Sequence, residues 1–144
     1  MRRLVVDSSV AIKWFVDEDD SDDALTPRDR NELLAPDLLV AECVNVFWKM
    51  ARRGELTADE AVLACQSLAL TDVILESMTD LSVRAGTMAI AFDHPAYDCF
   101  FLALSAAEGV PYVTSDLSFV RKLRAANFQE AEVLTLAEAV ALRA

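Results

Sequence analysis

The sequence predicts an α/β fold in which helices cover both faces of a parallel sheet. Three observations lead there. Short apolar runs bounded by turn residues alternate along the chain with longer segments of helical period. Two capping-box patterns, Thr57-Ala58-Asp59-Glu60 and Thr135-Leu136-Ala137-Glu138, mark helix starts. Apolar residues make up 54% of 144 and Gly only three, a composition that can bury a core without disulfide or metal staples. Strands that alternate with helices in this way pair in parallel, because each helix carries the chain back across the sheet.

Leu4-Val5-Val6 reads as a short buried strand ending at Asp7, after which Ser8 or Ser9 caps a helix through Val16. Residues 17–23 form a solvated acidic loop or fraying helix, and a second helical piece spans about 24–33. Pro36-Asp37 opens a long helix to Arg53, which Gly54 stops with basic residues in its last turn. The Thr57 box begins a helix to about Leu70, residues 72–75 can form a strand, and 80–91 a helix. His94-Pro95 opens the next helix, with Pro95 suited to its first position, and Gly109 ends it. A strand at 111–114 leads through Ser115-Asp116 into a helix at 118–125. A strand at 131–134 and a C-terminal helix complete the chain. With no repeat, low-complexity tract or linker, residues 1–144 read as one domain.

Charge alone decides little. The net charge of −11 disfavours phosphate binding at first sight. Residues 17–32, however, hold eight acids against two bases, a net −6. Basic residues cluster at Arg2-Arg3, at Lys49 with Arg52-Arg53, and at Arg121, Lys122 and Arg124, the last group placed to meet a phosphate backbone. Cys43, Cys65 and Cys99 are odd in number and lie in apolar runs, which points to reduced thiols in the cytoplasm. No apolar run reaches the length of a membrane span.

Four carboxylates stand where carboxylates are costly. Asp7 and Asp116 follow strands, at the sheet edge where α/β proteins bind ligands, although either could simply cap the next helix. Glu42 lies in Leu38–Trp48, a stretch apolar nearly all round, with no Lys or Arg within one turn on its face. Asp98 sits in a second apolar helix, near a first turn whose dipole also favours an anion. Several ionised carboxylates share a site only around a cation, and all-oxygen ligation points to Mg2+ or Mn2+. Zinc is disfavoured by the single His94, read as a helix-start residue, and by the scattered cysteines. An EF-hand beginning at Asp17 fails because Asp22 stands where Gly is needed and Arg28 where the last ligand belongs. Ser9 and Thr114 can offer hydroxyls that orient the carboxylates or a bound water, or serve as ordinary cap and strand-end residues.

Val5-Val6-Asp7-Ser8-Ser9, Glu42 in its apolar helix, Tyr97-Asp98-Cys99-Phe100-Phe101-Leu102-Ala103 and Thr114-Ser115-Asp116-Leu117-Ser118-Phe119 follow one another in the order seen in PIN-domain proteins. The chain resembles that family over nearly its whole length, and most closely the VapC-like toxins of prokaryotic toxin–antitoxin pairs. The resemblance implies a three-layer α/β/α sandwich and a metal-dependent endoribonuclease, homodimeric and inhibited by a cognate antitoxin protein. It maps Asp7, Glu42, Asp98 and Asp116 onto the acidic metal site, Asp7 and Asp98 as direct ligands, Glu42 and Asp116 as direct or water-mediated ones. Ser9 and Thr114 match the family's small hydroxyl positions. The acidic 17–23 segment is not part of the family pattern.

Rival folds fit less well. A haloacid-dehalogenase-type phosphatase needs Asp-x-Asp after the first strand, and the third residue here is Ser9. A receiver-type domain needs an acidic pair and a late Lys that are not evident. The alternative from another class is a non-catalytic PIN-like interaction domain with a vestigial acidic site.

Overall fold

The computed structural model describes residues 2–142, so the ends of the expected 1–144 unit fall outside the described residues. Five strands are present: β1 (Arg2–Val6), β2 (Asn31–Pro36), β3 (Ile74–Glu76), β4 (Tyr112–Thr114) and β5 (Val133–Thr135). They form one parallel sheet in the order β3-β2-β1-β4-β5. The helices are α1 (Ser8–Ala11), α2 (Ser21–Arg30), α3 (Leu38–Arg52), α4 (Ala58–Ala69), α5 (Ser82–Phe92), α6 (Ala96–Glu108), α7 (Leu117–Ala125) and α8 (Leu136–Ala141).

The three layers follow from β1. Leu4, Val5 and Val6 are all fully buried, although successive strand residues point to opposite faces. Both faces of the sheet are therefore covered. Helix α6 packs on β1, β2 and β4, with α5 against it, and is buried almost all round through Cys99, Phe101, Leu102, Ala103 and Leu104. Helix α3 packs on β2 and carries α4 on its outer side.

Strand order reverses across β1: the chain builds outward to β2 and β3, then returns to place β4 on the other side. A reversal of this kind leaves a crevice beyond the carboxyl ends of the two central strands. Asp7 immediately follows β1 and Asp116 follows β4 by two residues, so both stand at that crevice.

Four expectations change. Residues 31–36 are a strand, not the end of a helix: Leu33 to Pro36 are buried on both faces, so the alternation that announces a half-buried strand is missing. Helix α2 starts at Ser21, inside the acidic stretch, and holds Pro27 within it. The helix after Asp7 is short and passes into a 3-10 turn at Ile12–Trp14. Helix α3 is not buried all round; Leu39, Cys43 and Phe47 form one buried stripe, while Val40, Val44 and Trp48 are exposed.

Local signals are obeyed closely. Both capping boxes form, at Thr57 with Glu60 and at Thr135 with Glu138. Gly109 ends α6 in the left-handed region at φ 66°, where a side chain is costly. Pro95 sits at the N-cap of α6, one residue earlier than its preferred place. The acidic loop is tethered by Lys13, whose ammonium meets Glu18 at 2.7 Å and Asp20 at 2.8 Å.

Candidate active site

Asp7 is buried at the end of β1, only 4% exposed. Three hydroxyls converge on it: Tyr112 Oη donates to Oδ2 at 2.6 Å, Thr114 Oγ1 to Oδ2 at 2.5 Å, and Ser9 Oγ to Oδ1. Burial pushes the Asp7 carboxyl above its ordinary range, the hydroxyl bonds pull it back, and the charge of Asp98 adds to the rise. Donors that hold both oxygens of a buried carboxylate favour its ionised form and fix its plane. Ser9 and Thr114 thus both serve Asp7. Ser9 Oγ also accepts from the Ser115 amide at 2.9 Å, which ties α1 to the turn after β4, and Thr114 Oγ1 accepts from the Asp116 amide at 3.1 Å within that turn.

Glu42 lies on α3 beside the buried stripe. Its Oε1 is buried and has no hydrogen-bond partner among the described residues. Burial first, and then the charges of Asp7 and Asp98, raise its pKa to about 7. Three acids from β1, α3 and α6 are therefore electrostatically joined although 35 and 56 residues separate neighbours in sequence.

Asp98 occupies the first turn of α6, where the helix dipole favours its charge. Its Oδ2 lies 2.7 Å from His94 Nε2. The imidazole stacks on Phe119 with ring centroids 4.0 Å apart and planes at 15°. Asp116 has a local duty: Oδ1 caps α7 by accepting from the Phe119 amide at 3.1 Å and from Ser118 Oγ at 3.0 Å.

The side chains do not close on a single point. Among the described residues no three His, Cys, Asp or Glu side chains converge as a ready ligand set. Like charges repel, and each acid is drawn to its own donors: Asp7 to hydroxyls, Asp98 to His94, Asp116 to the α7 amide. A cation would nevertheless suit the cluster. The unpartnered Glu42 Oε1 and the buried, unpartnered Ser115 Oγ are both at this edge, and the donor set is all oxygen.

The basic group 121–124 is largely engaged in holding the fold. Lys122 Nζ donates to the Asp93 carbonyl at 2.8 Å, and Arg124 pairs with Glu138 at 2.7 Å while donating to the Val133 carbonyl. All three of the expected RNA-facing residues are exposed, and of them only Arg121 has no side-chain partner among the described residues. Asp20 and Asp23 line a cleft of about 230 Å³ together with Ser115 and Leu117, which brings the acidic segment against the site's rim.

Tyr112 escaped the sequence reading. The period of a strand puts it on the same face as Thr114, and a buried tyrosine hydroxyl needs a partner; those two facts together point to Asp7.

Comparison with known proteins finds relatives of the chain and of its fold. Residues 4–124 match the family model of the PIN domain. The chain is similar to Ribonuclease VapC3 of Pyrobaculum aerophilum, 32% identical over 126 residues, 85% of this chain and 96% of the relative. In structure it resembles the Mycobacterium tuberculosis toxin VapC20, which cleaves the sarcin-ricin loop. That match has a TM-score of 0.65 at 19% identity and covers 90% of this chain and 98% of the other. It also resembles VapBC2 of Rickettsia felis bound to a promoter DNA fragment. There the TM-score is 0.63 at 10% identity, over 92% of this chain and 98% of the other.

Proposed function

The chain belongs to the PIN-domain family, and on that premise we infer that it is a divalent-metal-dependent endoribonuclease, the toxin of a toxin–antitoxin pair. One observation carries the reading. Asp7, Glu42 and Asp98 face one electrostatic neighbourhood at the strand-order reversal, with a buried Glu42 oxygen that nothing among the described residues satisfies. A structural carboxylate is paired with a base or an amide; Glu42 instead has its pKa raised by burial and by the charges of Asp7 and Asp98.

Asp7, Glu42 and Asp98, with Asp116 directly or through water, would hold Mg2+ or Mn2+. The ion supplies polarisation of the phosphodiester and a bound water acidic enough to attack it. The protein's own part is to place charge. Ser9, Thr114 and Tyr112 orient Asp7 and favour its ionised form. Without metal, burial and the charges of Asp7 and Asp98 raise the Glu42 pKa to about 7, so a bound cation would relieve a costly charge there. Asp116 fixes the start of α7 beside the site.

The partners follow from the surface. Val40, Val44 and Trp48 on α3 are exposed and apolar, which suits a homodimer or an antitoxin contact. No helix among the described residues is long and apolar enough to cross a membrane. The reading is of one domain over 1–144, acting in the cytoplasm.

The test is cleavage of single-stranded and structured RNA by the purified chain, with Mg2+, with Mn2+ and with chelator. Divalent-dependent internal cleavage is expected. Binding of metal without cleavage of any RNA would favour a non-catalytic interaction domain.

A further inference from the structure

We propose that His94 is a positioning residue: its Nε2–H holds the Asp98 carboxylate in place, and Lys122 and Phe119 hold the ring. This rests on the metal-dependent reading above and deepens it. The observations are geometric. His94 Nε2 lies 2.7 Å from Asp98 Oδ2, while its other nitrogen, Nδ1, lies 3.5 Å from Lys122 Nζ. A carboxylate can only accept, so Nε2 at 2.7 Å is the donor, and the neutral ring is left with Nδ1 as an acceptor on the side of the Lys122 ammonium. The proton of the neutral ring then sits on Nε2 and points at Asp98. Lys122 is itself anchored, 2.8 Å from the Asp93 carbonyl, at the left-handed residue that ends α5. The ring plane is fixed by Phe119, which is fully buried and stacked 4.0 Å away.

Phe119 also meets Tyr112 edge-on, at 6.3 Å and 68°. Tyr112 donates to Asp7 as His94 donates to Asp98. One buried ring thus backs both of the groups that aim the two acids. The Phe119 amide, in turn, caps on Asp116. Residues 116, 119 and 122 lie at helical spacing on one face of α7, and that face serves three sides of the site. A partner that orients a metal-ligating side chain is worth about 10–100-fold in metal affinity or activity.

The experiment uses the untagged full chain. Its single histidine gives one imidazole in the 15N spectrum. Above neutral pH, a pyrrole-type Nε2 and a pyridine-type Nδ1 are expected; the reverse assignment overturns the proposal even if no variant folds. Mn2+ binding is then measured by paramagnetic resonance, without RNA, on His94→Phe and His94→Gln. Phe keeps the stack and loses the donor; Gln returns an N–H. The Phe variant is expected to lose about tenfold or more in Mn2+ affinity, and in cleavage to lose kcat with little change in KM. Gln is expected to recover most of both. Equal Mn2+ affinity in wild type and a folded His94→Phe overturns the positioning role alone, as does a folded Gln variant no better than Phe. A wild-type chain that binds no Mn2+ overturns the metal reading together with the proposal.

Discussion

Replacing Glu42 by Gln is expected to stabilise the metal-free protein above neutral pH and to destabilise it relative to wild type once metal is added. Folding moves the Glu42 carboxyl from an ordinary 4.5 to about 7, first through burial and then through Asp7 and Asp98. Below 4.5 both folded and unfolded chains hold the proton and the group contributes nothing to pH dependence. Between 4.5 and about 7 the unfolded chain has lost a proton that the folded chain keeps, so stability falls as pH rises. Above about 7 the penalty is complete and constant. At ~1.4 kcal/mol per tenfold in proton affinity its ceiling is ~3 kcal/mol. Glu42 is only partly buried, and solvent screening lowers the expected gain for Glu42→Gln to about 1–2 kcal/mol. The assay is urea denaturation with chelator at about pH 8 and again at about pH 5, where the advantage should shrink towards zero. Mg2+ at ~100 times its dissociation constant then stabilises wild type by ~2.7 kcal/mol and the variant by less, reversing the order. An advantage for Gln that is absent in chelator, or the same at both pH values, would refute the electrostatic account. Equal stabilisation of both proteins by Mg2+ would remove Glu42 from the ligand set.

Asp7→Asn is expected to abolish RNA cleavage while circular dichroism shows the fold kept, since the Asn oxygen can still accept from Tyr112 and Thr114 and only the Ser9 bond is lost; near-wild-type cleavage with Mg2+ would sink the site. Asp116 separates capping from chemistry: Asp116→Asn should keep α7 capped but lose activity, whereas Asp116→Ala should lose ~1 kcal/mol of stability as well. Tyr112→Phe removes a 2.6 Å bond to a buried carboxylate and should cost ~1.5–3 kcal/mol in thermal or urea unfolding. An antitoxin peptide that sets an Arg among the acids should compete with Mg2+ and weaken with salt; affinity indifferent to Mg2+ and to Arg→Ala in the peptide would place inhibition elsewhere.

What the sequence determined by itself is what a few neighbouring residues decide. The Thr57–Glu60 and Thr135–Glu138 boxes and the left-handed stop at Gly109 depend on hydrogen bonds and backbone sterics within one turn, and each is legible in four or five letters. The four acids could be picked out for a related reason: a carboxylate at a strand end or in an apolar helix is costly wherever the chain goes. Strand β2 could not be read, because Leu33-Leu34-Ala35 is buried on both faces and carries no period. The supports of the acids were equally hidden. Tyr112 and Thr114 reach Asp7 across 105 and 107 residues. Lys122 meets the Asp93 carbonyl and His94 across 29 and 28 residues and so braces the start of α6. Only the order in which the strands assemble brings such groups together. The donors that aim a buried charge come from whichever elements the sheet places beside it, and tertiary packing alone selects them.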